Sequence, residues 1–229
     1  MSREQTAEEV REEYVRAMGH DLGNTFFEFR NECITLHWKW EEYVALFGTN
    51  PGRIELLNRA AGAFFRIVQD TLWEDVVLRI ARLTDAPKSM GKDNLTLQRL
   101  PALVETALQG KVETLLQECL NKGSFARDWR NRRLAHSDLA LVLGDKTAAP
   151  LAPASRKDVT EVLAAIVALL NSVQTHYLRS EAMYELRPIG NAETLLYVLR
   201  DGLQAEEDRQ KRFESGTCTK EDIDGQPAL

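Results

Sequence analysis

Apolar side chains recur at steps of three and four residues along most of this chain, and this periodicity limits the fold more than any other feature. Residues spaced in this way lie on one face of an α-helix. The stripes predict long helices over about residues 26–47, 54–83 and 158–177, and further helices over about 5–18, 96–120 and 192–213. A short apolar run at 139–143 fits either a strand or a helix end. No segment alternates for long enough to require a sheet, so the sequence predicts an all-α bundle.

Clusters of glycine, proline and polar residues separate these segments and suggest a domain plan. The strongest breakers are residues 48–52, the segment around Pro87, and the Pro/Ala-rich stretch 144–155. We expect an N-terminal helical extension over residues 1–20 and the main helical bundle over 21–180. A C-terminal helical extension is expected over 181–214, followed by a disordered tail over 215–229.

Composition excludes several classes of protein. The net charge is −6 and the pI is about 5.4, which does not suit a protein that coats nucleic acid. The three cysteines are too few and too far apart for a disulfide framework. The first residues lack the apolar core of a signal peptide, and no apolar run reaches the length of a membrane span of about 18 residues. We therefore expect a cytoplasmic protein with no membrane association.

Residues 122–136, here called the basic island, depart from this acidic background. Five basic side chains stand there against Asp128 alone; they are Lys122, Arg127, Arg130, Arg132 and Arg133. Such an island is typical of a local anion site, although a solvated helix face that carries arginines has the same composition.

Within the basic island, Arg130 and His136 stand six positions apart, and Asn131 follows the arginine. Arginine binds phosphate through a planar fork of donors, and histidine exchanges protons near neutral pH. The bare spacing is weak evidence in an arginine-rich chain, because Arg30, with its own neighbouring asparagine, also precedes His37 by seven positions. We interpret Arg30 and His37 as a packed polar pair beside core aromatic residues.

The geometry of an α-helix does not bring Arg130 and His136 together. Six residues advance a helix by about 9 Å and leave the two side chains about 120° apart. A second copy of the motif, supplied by a symmetric partner, would complete such a site.

The segment 128–138, DWRNRRLAHSD, resembles the R-x4–6-H motif of HEPN (higher eukaryotes and prokaryotes nucleotide-binding) domains, in particular that of the abortive-infection AbiU-type branch. Two further segments support the resemblance, DVVLRIARLTD at 75–85 and NLTLQRL at 94–100, and the similarity covers roughly residues 20–180. It implies an all-α, HEPN-like helical bundle, here with additional N- and C-terminal helices, that forms a homodimer in which the two motifs face each other.

The resemblance also implies a metal-independent endoribonuclease that acts as a toxin or phage-defence effector. Arg130 and His136 match the catalytic positions of the motif. His136 would be the general base or acid for attack of a ribose 2′-OH on the adjacent phosphate, and Arg130 would bind that phosphate. Supporting roles are expected for Asn131, Arg133, Ser137 and Asp138, although Arg133 also suits a plain surface position and Ser137 and Asp138 also suit a helix cap.

No metal ion or cofactor is expected. The sequence has no phosphate-binding loop, and none of its four histidines lies at a zinc-ligand spacing from another histidine or a cysteine. Some HEPN domains use an additional acidic residue from an earlier helix, for which Asp70, Glu74 and Asp75 are candidates, but ordinary carboxylates on a helix surface are the better explanation of all three. The expected partners are RNA and a second copy, with an antitoxin or regulatory partner as a further possibility. The alternative functions are a non-catalytic domain that binds RNA or nucleotide, and a dimeric scaffold.

Overall fold

A computed structural model describes residues 5–48, 50–89, 91–145, 147–185 and 189–224, and it confirms the all-α fold. The helices are α1 (Ala7–Met18), α2 (His20–Phe47), α3 (Pro51–Thr84), α4 (Leu100–Leu103), α5 (Thr106–Lys122), α6 (Ser124–Trp129), α7 (Leu139–Val142), α8 (Arg156–Leu178), α9 (Ala192–Glu214) and α10 (Lys220–Asp224). A 3-10 turn covers Leu97–Arg99 and a π-helix covers Arg130–Leu134. Two short antiparallel strands, β1 (Lys88–Ser89) and β2 (Lys92–Asp93), pair as a hairpin.

The observed elements differ from the predicted ones where local chemistry interrupts a stripe. The residues that follow the breaker at Pro87 include the small hairpin of β1 and β2. The predicted helix over 96–120 is divided, because Val104 and the N-cap Glu105 adopt extended backbone between α4 and α5. The long helix α3 is interrupted at Ala61, whose φ of −166° and ψ of 66° are not helical. The apolar run at 139–143 contains the short helix α7.

The chain divides into two compact units. The first unit comprises the described residues of 1–41 and 71–186, and the second those of 42–70 and 187–229. The N-terminal helix α1 lies in the first unit, and the C-terminal helix α9 lies in the second. The domain boundaries expected from the sequence stay a prediction.

In the first unit, α5 and α8 pack closely together, and α1 packs on α8. The core consists of completely buried apolar side chains; among them are Phe26, Phe29, Leu36, Val76, Ile80, Val112, Val162 and Ile166. Ser155 and Asp158 form a capping box that begins α8 two residues earlier than the sequence predicts. Among the described helices, α8 is long and apolar enough to cross a membrane, but 56% of its apolar window is buried inside the structure, as in a core helix.

In the second unit, contacts from α9 connect it to residues 42–59. The Ala192 N–H donates to the Glu42 carboxylate at 2.6 Å, and Arg53 lies 3.7 Å from Glu193. The segment predicted to be a disordered tail contains α10, where Arg212 binds the Asp222 carboxylate through two nitrogens at 2.5 and 2.8 Å. Residues 225–229 of that predicted tail lie outside the described residues.

Close contact between α1 and α2 depends on Gly23. A Cβ atom added there would lie 2.5 Å from the Val15 Cα, well inside van der Waals contact.

We expect Gly23→Ala to lower the free energy of unfolding by about 1–3 kcal/mol, because the two backbones would have to separate. The matched control is Gly110→Ala, where an added Cβ meets no atom within 4 Å. Because alanine favours the helix, that substitution should stabilise the protein by about 0.5–1 kcal/mol in the same urea titration. Equal effects of the two substitutions would contradict this account.

Candidate active site

The motif predicted to be catalytic lies on a π-helix and not on a regular α-helix. Helix α6 ends at Trp129, and the Ala135 N–H then donates to the Arg130 carbonyl at 2.8 Å, five residues earlier in the chain. The α-helical geometry expected for Arg130 and His136 is therefore wrong, since the helical segment ends at Leu134 and His136 follows it. Single π-turns of this kind are frequent at functional sites.

Aromatic packing holds the start of this turn. Phe125 is buried, and the Trp129 ring meets the Trp73 ring edge-on with centroids 6.1 Å apart. The Trp129 indole N–H donates to the Ala152 carbonyl at 2.8 Å, which attaches the following loop. Arg133 lies over the Trp129 ring, 5.3 Å from its centroid, and its side chain is otherwise exposed. This stacking holds the Arg133 guanidinium against the Trp129 ring.

Arg132 and Asp138 stabilise the chain that leaves the turn. Arg132 donates to the Asp138 carboxylate at 3.3 Å and to the carbonyls of Ala149 and Pro150. Asp138 also accepts the Ala140 and Leu141 N–H groups and so caps the start of α7. The bonds from Leu141 and from Arg132 hold the pKa of Asp138 below its usual value. The contacts of Asp138 are those of a cap, but at the start of the next helix rather than at the end of the motif helix.

Arg130 is bound to an acidic residue that precedes it by 45 positions. Its Nη2 atom donates to the Asp85 carboxylate at 2.6 Å, and the two side chains are 30% and 18% exposed. The Nε atom of Arg130 is buried without a hydrogen-bond partner among the described residues, and so is Nη1 of neighbouring Arg127. Burial lowers the pKa of Arg127; the Asp85 charge opposes this shift and the Arg130 charge adds to it. The site is thus an acidic residue beside two arginines that retain unused donors.

The residues after α3 fix the position of Asp85. The last carbonyl groups of a helix have no hydrogen-bond partner within the helix, and here polar side chains supply the missing donors. The Thr96 hydroxyl bonds the carbonyls of Leu83 and Asp85 at 3.1 and 2.6 Å, while the Gln98 amide bonds those of Thr84 and Asp85 at 3.0 and 2.9 Å. Asn94 adds a bond to the Ala86 carbonyl at 3.0 Å. These three side chains, here called the polar latch, hold Asp85 where Arg130 can reach it.

A cleft of about 360 Å³ opens beside the Arg130–Asp85 pair. We call it the Arg130 cleft; its lining residues are Glu32, Arg82, Leu83, Asp85, Ser89, Asn94, Leu95 and Arg130. All of them belong to the first unit. Glu32 is paired with Arg79 at 2.8 Å, whereas Arg82 is exposed and has no ion-pair partner among the described residues.

His136 does not line the Arg130 cleft. Its side chain is exposed and makes no hydrogen bond or ion pair with the residues that the structure describes. Asn131 and Ser137 are exposed as well. One chain therefore places Arg130 in a cleft and His136 on the surface beyond the π-turn.

None of the three acidic residues suggested by the sequence is among the residues that line the Arg130 cleft. Asp70 pairs with Arg66 at 3.0 Å in the second unit, and Glu74 is exposed. Asp75 is bound by Lys39 and Arg79 at 2.9 and 2.8 Å, and these bonds leave its pKa below the usual value although burial raises it. Sequence reasoning missed Asp85, whose signal was its place at a helix end just before Pro87 and a run of polar residues.

Arg30 and His37 form no comparable site. His37 is 4% exposed, and its ring packs against Tyr184 with centroids 6.0 Å apart. Burial lowers its pKa, which favours the neutral imidazole, although Glu185 opposes this shift. The described residues also contain no group of three or more His, Cys, Asp or Glu side chains that could hold a metal ion.

Comparison with known proteins bears directly on this site. The model of the AbiU2 family of HEPN domains matches residues 20–195, which include the polar latch and the whole segment from Arg130 to Asp138. The chain belongs to the AbiU2 family of HEPN domains. The fold is therefore that of a HEPN-like helical bundle of the AbiU type, and the matched residues run from the start of α2 to the first turn of α9. Searches of curated proteins and of solved structures gave no match.

The polar latch should contribute measurably to stability. Thr96 is completely buried, so Thr96→Val keeps the side-chain shape but leaves the Leu83 carbonyl without its side-chain partner and the Asp85 carbonyl with Gln98 alone. We expect the free energy of unfolding to fall by about 1–3 kcal/mol. The matched control is Thr114→Val, because the Thr114 hydroxyl bonds the Gly110 carbonyl on an exposed helix face. There water can replace the lost bond, and the change should stay within about 0.5 kcal/mol. Urea titration measures both; an unaffected Thr96→Val protein would contradict the role of the latch.

Proposed function

We propose that this protein is a metal-independent endoribonuclease of HEPN type that acts in abortive infection. Membership of the AbiU2 family provides the context, and the Arg130–Asp85 pair beside a cleft is the observation that carries the proposal. A guanidinium whose Nη2 is held by a carboxylate keeps further N–H donors for a phosphate. Such preoriented donors stabilise the charge that grows on a phosphate during reaction.

In the proposed reaction, a ribose 2′-OH attacks the adjacent phosphorus while the bond from phosphorus to the next O5′ breaks. His136 takes the proton of the 2′-OH as general base, or donates a proton to the leaving O5′ as general acid. Arg130 binds the non-bridging oxygens of the phosphate. The products are a 2′,3′-cyclic phosphate and a free 5′-OH, and no external water or redox partner is consumed.

A second copy of the chain is the proposed source of the histidine. Within one chain His136 is exposed and absent from the lining of the Arg130 cleft, so the site needs a completing element. Helix α7 begins three residues after His136 and exposes an apolar face, with Leu139, Val142 and Leu143 exposed at 69%, 69% and 73%. Apolar side chains exposed at spacings of three and four residues on a short helix suit contact with a partner.

The catalytic proposal predicts that His136→Ala abolishes RNA cleavage. General acid–base catalysis contributes about 10²–10⁴-fold, so the rate should fall by at least about 100-fold while circular dichroism stays unchanged. The measurement is cleavage of several RNAs in the presence of EDTA, with the 2′,3′-cyclic phosphate identified by mass spectrometry. His20→Ala is the matched control, because His20 is also exposed and lies at the start of α2, outside the motif. RNA cleavage that is equal in wild type and His136→Ala would refute the proposal.

The two-copy site predicts complementation between inactive variants. Arg130→Ala and His136→Ala should each be inactive, yet a co-expressed mixture should recover part of the cleavage. A mixed dimer contains one site that combines an intact Arg130 from one copy with an intact His136 from the other. If each chain supplied both residues to its own site, the mixture would stay inactive. Size-exclusion chromatography with light scattering confirms that mixed dimers are present.

A non-catalytic RNA-binding domain is the second candidate function. The specific observation in its favour is that Asp85 already neutralises Arg130, while His136 lies outside the cleft. This candidate predicts that wild type and His136→Ala bind RNA equally without cleavage, with affinity that decreases as salt increases.

A further inference from the structure

The Arg130 cleft has the size and the walls of a site for one planar ligand. Its volume of about 360 Å³ lies at the lower end of the range for small-molecule pockets, about 300–1,000 Å³. Two leucines belong to the lining. Leu83 is buried and Leu95 remains 39% exposed, so apolar surface is available for the face of a ring. A single nucleotide fits this space, whereas a nucleic-acid duplex does not.

Three side-chain acceptors on the lining of this cleft have no partner among the described residues: Glu32 Oε1, one oxygen of Asp85 and the side-chain oxygen of Asn94. One oxygen of Asp85 accepts Arg130, and the other carboxylate oxygen is unused. Asn94 donates its amide N–H to the Ala86 carbonyl, so its orientation is fixed and its side-chain oxygen remains available. Because Asn94 bonds the residue that follows Asp85, Asp85 and Asn94 are neighbouring residues of the lining.

Two neighbouring acceptors distinguish among the four bases. The Watson–Crick edge of guanine carries two adjacent donor groups, N1–H and N2–H₂. Adenine combines one donor with one acceptor, cytosine combines one donor with two acceptors, and uracil has one donor between two carbonyl oxygens. Guanine also carries the acceptor O6, for which Arg82 and Ser89 on the same lining supply N–H and O–H donors. A base that leaves a buried acceptor unpaired loses affinity.

We propose that the Arg130 cleft is a base-binding subsite that selects guanine, through the free oxygens of Asp85 and Asn94. The inference rests on the proposed function in that the ligand is RNA, and it adds the base preference. A guanine held there sits beside Arg130 and places one of its flanking phosphates on that guanidinium. The enzyme then cleaves RNA next to guanine.

Binding of nucleoside monophosphates tests the subsite without any turnover. The His136→Ala protein is titrated separately with GMP, AMP, CMP and UMP at one salt concentration by isothermal calorimetry. A base read by a pair of hydrogen bonds is favoured by about 5- to 150-fold, so GMP should bind at least about fivefold more tightly than the other three. Equal affinities, or no GMP binding at millimolar concentration, would overturn the proposal.

Inosine monophosphate isolates the role of Asn94 as the acceptor for the N2 amino group, because hypoxanthine keeps N1–H and O6 but lacks that group. The parent protein should bind GMP more tightly than inosine monophosphate, and Asn94→Ala should remove this difference. A merely structural role for Asn94 would weaken both ligands equally and keep the difference, which would overturn the assignment of this acceptor. Asn58→Ala, an exposed change in the second unit, is the matched control and should keep the difference.

Mapping of RNA cleavage sites separates failure of the subsite from failure of the proposed function. Wild-type cleavage that depends on His136 but shows no guanine beside the cut bonds overturns the guanine subsite and keeps the ribonuclease. Selective GMP binding by a protein that cuts no RNA supports the subsite and refutes the ribonuclease.

Discussion

The ion pair between Arg130 and Asp85 is the interaction on which the rest of the site depends. It joins the end of α3 to the π-turn, across 45 residues of sequence. A partly buried guanidinium needs an opposite charge, because desolvation penalises an unpaired cation. Asp85 can supply that charge only if α3 ends where it does, and the polar latch determines that end. Local chemistry at a helix terminus thus sets the position of a side chain on another element.

The same pair has an electrostatic consequence for any phosphate that binds. Asp85 orients Arg130 but also repels an anion, so the pair alone has little net attraction for phosphate. Arg127 and Arg82 change this balance. Arg127 is close enough for its pKa to respond to both Asp85 and Arg130, and Arg82 lines the cleft without an ion-pair partner among the described residues. Because Arg79 balances the other carboxylate of the lining, Glu32, the three arginines outweigh Asp85, which reconciles a local anion site with an acidic protein.

Local patterns in the sequence were sufficient to predict the long helices. The apolar stripes in α2, α3 and α8 are long and regular, and glycine and proline mark their ends, so helix type and approximate bounds follow from local rules. The same rules missed the break before Glu105 and the hairpin at 88–93, where capping and turn chemistry outweigh the periodicity. They also say nothing of the contacts between α9 and residues 42–59, since no local pattern reveals which distant segment a helix contacts.

Only part of the candidate site could be predicted from the sequence, for the same reason. Arg130 and His136 could be selected by residue type and by family resemblance, but both the π-turn and Asp85 depend on contacts between distant residues. Periodicity cannot distinguish a π-turn from an α-turn over five residues, because the hydrogen-bond shift leaves no signature in the residue types. Asp75 lies on α3, ten positions before Asp85, and was a candidate for the acidic residue of the site. Lys39 and Arg79 already bind it, however.

An exposed His136 beside an apolar helix face is best understood through the charge of the basic island. Two copies that meet through α7 would bring two such islands together, and their mutual repulsion would oppose association at low salt. An RNA phosphate between them would cancel part of this repulsion. In the proposed dimer, RNA binding and association are therefore coupled, and each strengthens the other by the same factor. In that dimer, the surface that completes the site is most stable when RNA is bound.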